Sequence, residues 1–175
     1  MRCLMLLRHA KAVPVHRAVR DEDRALNARG REDAPKMGAY MARHALVPDR
    51  AIVSPAKRTR ETWEGAATVF SNPPPAVYDS RLYDAAPQTI IDVIQESGST
   101  APRLLVVGHN PGLQKLAMLL IAAGDVEARE RLGEALPTSG LVIIDFAFDD
   151  WKKLHLHAGR LDRFVTPQSL NLMTD

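Results

Sequence analysis

The sequence predicts an α/β fold, a mostly parallel sheet with helices on both faces. Three observations predict it. First, Cys3–Leu7 and Leu104–Val107 are short, wholly apolar runs. They are too brief for typical helices and suit strands buried on both faces. Second, such runs alternate with segments whose apolar residues recur at helical spacing. Third, two of the runs stop abruptly at reactive side chains, Arg8-His9 and Gly108-His109. In open parallel sheets, sites lie just past the carboxyl ends of strands.

Each element follows from its own residues. Ala12–Asn27 is polar, contains Pro14 and reads as a long loop, a type of segment that is often functional. Within it Arg17, Arg20 and Arg24 read as solvated, with one of them able to guide an anion. Asn27–Gly30 turns into a helix that places Ala34, Met37, Met41 and Ala45 on one face. Ala51–Val53 is a short strand. Ser54-Pro55 then reads as a helix start, with Ser as the cap and Pro in the first turn. That helix carries Thr59, Trp63, Ala66 and Phe70 inward and Arg58 in its first turn. Asn72–Pro75 is a stiff connector, and Ala76–Tyr78 a short edge strand. The loop Leu82–Pro87 feeds a helix with Ile90, Val93 and Ile94 inward. Asp84 in that loop reads as a helix-approach carboxylate or a proton donor, and local sequence favours the first.

Arg103–Val107 is the clearest buried strand. Gly108 and Gly112 beyond it permit tight turning and close approach of a ligand. The next helix puts Leu113, Leu116, Ala117 and Leu120 on one face. Asp125–Leu136 reads as a charged helix outside the site. Pro137–Gly140 leads into the strand Leu141–Phe146, and Asp149-Asp150 turns the chain. Leu154, Leu156 and Ala158 alternate with His155 and His157, which predicts a hairpin at a sheet edge. The two histidines share a strand face, as a metal pair does, but no third ligand of suitable spacing follows, so a solvated face is favoured. From Gly159 the tail reads as loop, with Pro167 inside it.

Composition sets the class. The chain has 175 residues, 46% hydrophobic and 25% charged, as an ordinary globular protein with one core has. A single domain over residues 1–175 is expected. Net charge is +2, from 23 basic and 21 acidic residues, and no dense Lys/Arg run occurs. Neither nucleic acid nor a membrane surface is an expected partner. The apolar run after Arg2 is too short for a signal peptide and is broken by Arg8, His9 and Lys11, so a cytoplasmic location is expected. The single cysteine, Cys3, lies in the first strand and reads as a buried, inert thiol.

Three strand-to-helix crossovers thus bring Arg8, His9, Arg58 and His109 to one sheet edge. Two guanidiniums and two imidazoles form a pocket for a compact, doubly charged anion, because arginine forks match phosphate oxygens. A metal held by His9 and His109 is the competitor. Two arginines would repel a cation, and no carboxylate or thiolate adjoins either histidine, so no metal and no cofactor are expected. A neutral imidazole is a nucleophile toward phosphorus, and nearby positive charge keeps its lone pair available near pH 7. The chemistry expected is two displacements, through phospho-His9 and then its hydrolysis. Arg8, Arg58 and His109 would stabilise the oxygens of the transferring group.

Three motifs carry a resemblance: Arg8-His9-Ala10, the stretch Ser54–Thr62 around Arg58, and Gly108-His109-Asn110-Pro111-Gly112. In this order they resemble the histidine phosphatase superfamily, of phosphoglycerate mutase-like fold. The small size and the stretch Asp23–Arg31 resemble its short bacterial branch of phosphohistidine phosphatases. The resemblance spans Met1 to about Pro167. It implies a three-layer α/β/α sandwich and a metal-independent phosphatase. His9 would be the nucleophile; Arg8, Arg58 and His109 would complete the pocket, with Asn110 also binding substrate. The usual glycine after the nucleophile is replaced by Ala10. Larger members carry an acidic donor, for which the nearest candidate here is Asp84. A weak or absent acid favours phosphohistidine over phosphate esters, since imidazole leaves more readily than an alkoxide. The expected partner is therefore a histidine-phosphorylated protein of the phosphotransfer or phosphocarrier type. The alternatives are a small-molecule phosphomonoesterase and a non-catalytic phosphate-binding module. A mutase is the weakest reading.

Overall fold

Alternation along the central strands explains why helices cover both faces of the sheet. The structure, a computed structural model, describes residues 1–97 and 99–173. Its elements are β1 Arg2–Arg8, α1 Ala28–Arg43, β2 Arg50–Val53, α2 Lys57–Ala67, β3 Ala76–Tyr78, α3 Pro87–Glu96, β4 Arg103–Gly108, α4 Gly112–Leu120, β5 Ile121–Gly124, α5 Val126–Glu134, β6 Leu141–Phe146, β7 Gly159–Val165 and α6 Pro167–Met173. In β1, Leu4, Met5, Leu6 and Leu7 are all fully buried. Successive side chains of a strand point to opposite faces. Leu4 and Leu6 therefore pack with apolar residues of α3, α4 and α5. Met5 and Leu7 pack with those of α1, α2 and α6. Leu104/Val106 and Leu105/Val107 of β4 divide the same way.

The sheet has the order β3-β2-β4-β1-β6-β7-β5. β1, β2, β3 and β4 are mutually parallel, β6 is antiparallel to both β1 and β7, and β5 is parallel to β7. β1 and β4 lie side by side with Arg8 opposite Gly108. β2 borders β4, with Val53 opposite Val107. The carboxyl ends of β1, β2 and β4 are thus neighbours, and the loop entering antiparallel β6 arrives at the same edge.

Most predicted elements form, and the exceptions have physical causes. Ala45 does not extend the apolar face of α1; it lies beyond the helix end, exposed, with φ 56°. The hairpin does form, but its second strand is β7, not Leu154–Ala158. His157 adopts φ 60° and its N–H donates to the Leu119 carbonyl, turning the chain before Gly159. Pairing of β7 with β6 shifts between Ile143 and Ile144. The bulge breaks the two-residue alternation, so Leu161 and Phe164 are both buried three residues apart. Pro167 opens α6 rather than sitting in a loop, as suits its fixed φ. The short strand β5, after α4, was not anticipated. Gly112 is a glycine near the site that close approach requires. A Cβ there would stand 2.2 Å from the Ala85 carbonyl oxygen, so the approach is to protein backbone rather than to a ligand. Gly108 meets only ordinary contacts.

Candidate active site

His9 follows β1 and His109 follows β4, and the parallel pairing of these strands sets their rings 5.4 Å apart between centroids. Both are only 8% exposed. His9 Nδ1 lies 2.7 Å from the Ala10 carbonyl oxygen. A carbonyl only accepts, so Nδ1 carries the proton and Nε2 keeps its lone pair. The backbone is fixed on both sides of this residue. The Ala10 N–H donates to Thr62 Oγ1 of α2, at 2.9 Å. The Ser139 N–H is shared between the Arg8 and His9 carbonyls at 3.2 and 3.1 Å. Ser139 is fully buried and adopts φ 61°, a left-handed conformation that costs a non-glycine residue about 1 kcal/mol or more.

His109 Nε2 pairs with Ser54 Oγ at 2.7 Å. Ser54 is therefore not the cap of α2. Its hydroxyl is turned to the histidine, Ala56 holds the cap position, and Thr59 Oγ1 bonds the Ser54 and Ala56 carbonyls. The edge of Tyr83 meets His109 at 5.4 Å and 83°.

Arg58 lies in the first turn of α2 with a 7% exposed side chain. Its Nη1 donates to the Asp21 carbonyl at 2.7 Å and its Nη2 to Asp21 Oδ2 at 2.9 Å. The Tyr83 hydroxyl donates to the same Oδ2. Arg24 Nε donates to Asp21 Oδ1 at 3.0 Å. Arg8 Nη1 donates to the Leu136 carbonyl at 3.0 Å. Among the described residues, four buried polar atoms at this edge have no protein partner: Arg8 Nε, Arg58 Nε, His109 Nδ1 and Ser139 Oγ. Buried donors are nearly always satisfied, so a cluster of orphans marks a place for a polar ligand.

The electrostatics fit an anion. Burial, with Arg58, Arg8 and Arg24 adding to it, lowers His9 to about 4 despite the opposing bond to Ala10. Burial, then Arg58 and His9, lowers His109 to about 3. Both rings are neutral at pH 7. Burial and Arg58 lower Arg8. Asp21 is lowered to about 2, first by the Tyr83 hydroxyl and then by Arg58 and Arg24. It is a permanent anion and cannot serve as an acid near neutrality.

A sequence profile described as histidine phosphatase superfamily (branch 1) matches residues 4–87. The chain belongs to the histidine phosphatase superfamily. An uncharacterized protein of Mycobacterium tuberculosis (strain H37Rv), Rv1276c, is 36% identical over 164 residues, covering 93% of this chain and 100% of the relative. Among solved structures, a protein of Agrobacterium tumefaciens provisionally named as the phosphohistidine phosphatase SixA is 28% identical. Its TM-score is 0.80, over 95% of this chain and 98% of that one. A structure of the protein histidine phosphatase SixA complexed with tungstate has a TM-score of 0.75 at 18% identity, covering 96% and 99%. The sheet and its helices have the phosphoglycerate mutase-like α/β architecture of these neighbours. Superfamily membership supports a phosphatase-type hydrolase.

Arg8, His9, Arg58 and His109 thus converge at one edge of this histidine phosphatase sheet. Asn110 adjoins them, but its Nδ2 donates to the Leu136 carbonyl and its Oδ1 accepts from the Gln114 N–H. Asp84 is exposed, with φ 52°, and makes no hydrogen bond or ion pair among the described residues. Arg24, read as solvated, is half-buried and engaged by Asp21 and the Val13 carbonyl. Leu136, read as outside the site, supplies a carbonyl to both Arg8 and Asn110. Sequence reasoning missed Asp21 and Tyr83, and left open whether Ser139 touches the substrate. Asp21 and Tyr83 reach the site through irregular loops that no periodicity describes. Ser139 had one usable signal, its place just before a strand at the same edge. His155 and His157 are exposed and outside this edge, and no group of three or more His, Cys, Asp or Glu among the described residues is arranged to hold a metal. No helix of the described residues is long and apolar enough to cross a membrane.

Proposed function

We propose that the chain hydrolyses phosphohistidine on a protein, through a phosphoryl intermediate on His9. One observation carries the reading: a neutral His9 has its Nδ1 tied to the Ala10 carbonyl and its Nε2 free, beside four orphaned polar atoms. In the first displacement His9 Nε2 attacks phosphorus. The P–N bond to the substrate imidazole breaks, and that ring leaves carrying a proton on its other nitrogen. In the second, water attacks phosphorus, the P–Nε2 bond breaks and inorganic phosphate departs. Water's proton passes to the released phosphate or to Nε2. Arg8, Arg58 and His109 hold the three non-bridging oxygens, where charge is spread in the transition state.

The choice of substrate rests on the acids. An alkoxide leaving group needs a proton from a well-placed acid. Asp21 is locked as an anion, and Asp84 is exposed without a partner. Asp145, which burial and Asp162 raise, pairs with Cys3 near the amino end of β1, away from His9. A leaving imidazole does not need that help. The test compares hydrolysis of a histidine-phosphorylated carrier protein with that of an aryl phosphate and common sugar phosphates. The proposal expects the phosphoprotein to be preferred and Asp84→Asn to leave its rate unchanged. Preference for a sugar phosphate, with ester activity lost in Asp84→Asn, would instead establish a small-molecule phosphomonoesterase. Phosphate binding without turnover of any substrate would leave a binding module.

A further inference from the structure

Arg58 meets Asp21 along one edge only. The Asp21 backbone carbonyl and Oδ2 take one N–H each from Nη1 and Nη2, across the end of the guanidinium. The side edge, formed by Nε–H and the second N–H of Nη2, is left over. Its Nε is buried and without a protein partner. A guanidinium can hold a carboxylate on its end edge and a phosphate on its side edge, since the five donors form two separate forks. Asp21 is itself held from three directions. The Tyr83 hydroxyl donates to Oδ2, Arg24 Nε to Oδ1, and Arg24 Nη1 ties the pair to the Val13 carbonyl at 2.8 Å. Tyr83 in turn lies beneath the Arg58 guanidinium at 6.0 Å and edges onto His109.

We infer that Asp21, braced by Tyr83, is a positioning residue that clamps the end edge of Arg58 and so presents its Nε–Nη2 edge to the phosphoryl group. The inference rests on the proposed function only in taking this pocket as a phosphoryl site. It adds a specificity element contributed by the loop between β1 and α1. The clamp also sets charge. Arg8, Arg24 and Arg58 against Asp21 leave two net positive charges around two neutral imidazoles, which balances a dianion. Without Asp21 the guanidinium is free to rotate, and the pocket carries one more positive charge.

The two roles of a carboxylate beside an arginine, presenting it or competing for it, predict opposite results. Binding of inorganic phosphate to the full chain is measured by calorimetry for wild type, Asp21→Asn, Tyr83→Phe, Arg58→Lys and the double variants. A clamp predicts about tenfold weaker binding in Asp21→Asn and a smaller loss, about threefold, in Tyr83→Phe. In the Arg58→Lys background, which lacks the fork, each of these losses shrinks to less than about twofold, because coupled residues are non-additive. A merely structural defect would not vanish in that background. Unchanged or tighter binding in Asp21→Asn and Tyr83→Phe, or losses that add to that of Arg58→Lys, would overturn the inference. Tyr83→Phe carries the test if Asp21→Asn does not fold. No turnover is needed, so the clamp can fail while the phosphohistidine reading stands. Wild type that does not bind phosphate would overturn both.

Discussion

The two ends of β1 carry opposite chemistry on one strand. At its carboxyl end stand Arg8 and His9, with Arg58 and His109 from neighbouring elements. At its amino end Cys3 pairs across to Asp145 on β6. Burial is the largest influence at both ends; it disfavours the charged form of each group, imidazolium at one end and thiolate at the other, and the surrounding charges add to it. Burial, with the arginines adding to it, drives the imidazoles to about 4 and about 3, so both are neutral and His9 keeps a free lone pair on Nε2. Beside Asp145 and Asp162, burial raises the Cys3 thiol to about 12, so the stronger intrinsic nucleophile is inert. Orphaned buried donors occur at both edges, since Arg2 Nε and Arg50 Nε also lack partners. Only the carboxyl edge combines them with a free imidazole lone pair and a frame of loops. A strand end is therefore a place where a site can stand, and the kind of group buried there, with surrounding charge reinforcing the effect, determines which chemistry it supports.

Substitutions at both ends test this contrast. His9→Ala should lower hydrolysis by roughly 10⁴-fold or more, since it removes the attacking atom. Cys3→Ala at the other end should leave the rate within about twofold, although both residues sit on one strand. Arg58→Ala should cost about 10²–10³-fold in kcat, as loss of one donor to a developing charge does. Its thermal midpoint should change less than that of Leu105→Ala, which empties a fully buried position at a cost of about 2–5 kcal/mol.

Acid sharpens the contrast further. His9 and His109 have folded values below their ordinary 6.5. As pH falls from about 6.5 toward 4, the unfolded chain takes up protons that the native chain refuses, so stability falls with pH in that window. Double substitution with His9→Asn and His109→Gln should flatten this part of a stability-against-pH curve. At the other edge the sign reverses. Asp145 is raised, so its native burden appears as pH rises above the ordinary carboxylate value, and Asp145→Asn should relieve it. In activity, the acid limb of kcat/KM assigned to His9 should lie well below 6.5, and imidazole NMR titration checks the residue directly.

Much of the carboxyl edge was legible because strands and their exits are local features. Cys3–Leu7, Ala51–Val53 and Leu104–Val107 announce strands by apolar runs, and parallel pairing then gathers Arg8, His9, Arg58 and His109. The rest depends on non-local geometry. Ser54 reads as a helix cap until β4 places His109 Nε2 2.7 Å from its hydroxyl. Asp21 is one acid among several in a polar loop until tertiary folding presses it onto Arg58. β7 hid behind a bulge, which breaks the period on which strand recognition relies. The alternation of Leu154–Ala158 misled for the converse reason: it is a strand pattern on a segment that the positive φ of His157 keeps out of the sheet.

The central claim is that His9, and not another nucleophile, receives the phosphoryl group. The most direct measurement mixes the protein with a histidine-phosphorylated carrier protein, quenches in alkali within milliseconds to seconds, and locates transferred phosphate by mass spectrometry. The expected result is an acid-labile, alkali-stable phosphoryl group on His9, absent in His9→Ala. Phosphate on any other residue, or rapid turnover that persists in His9→Ala, would contradict it.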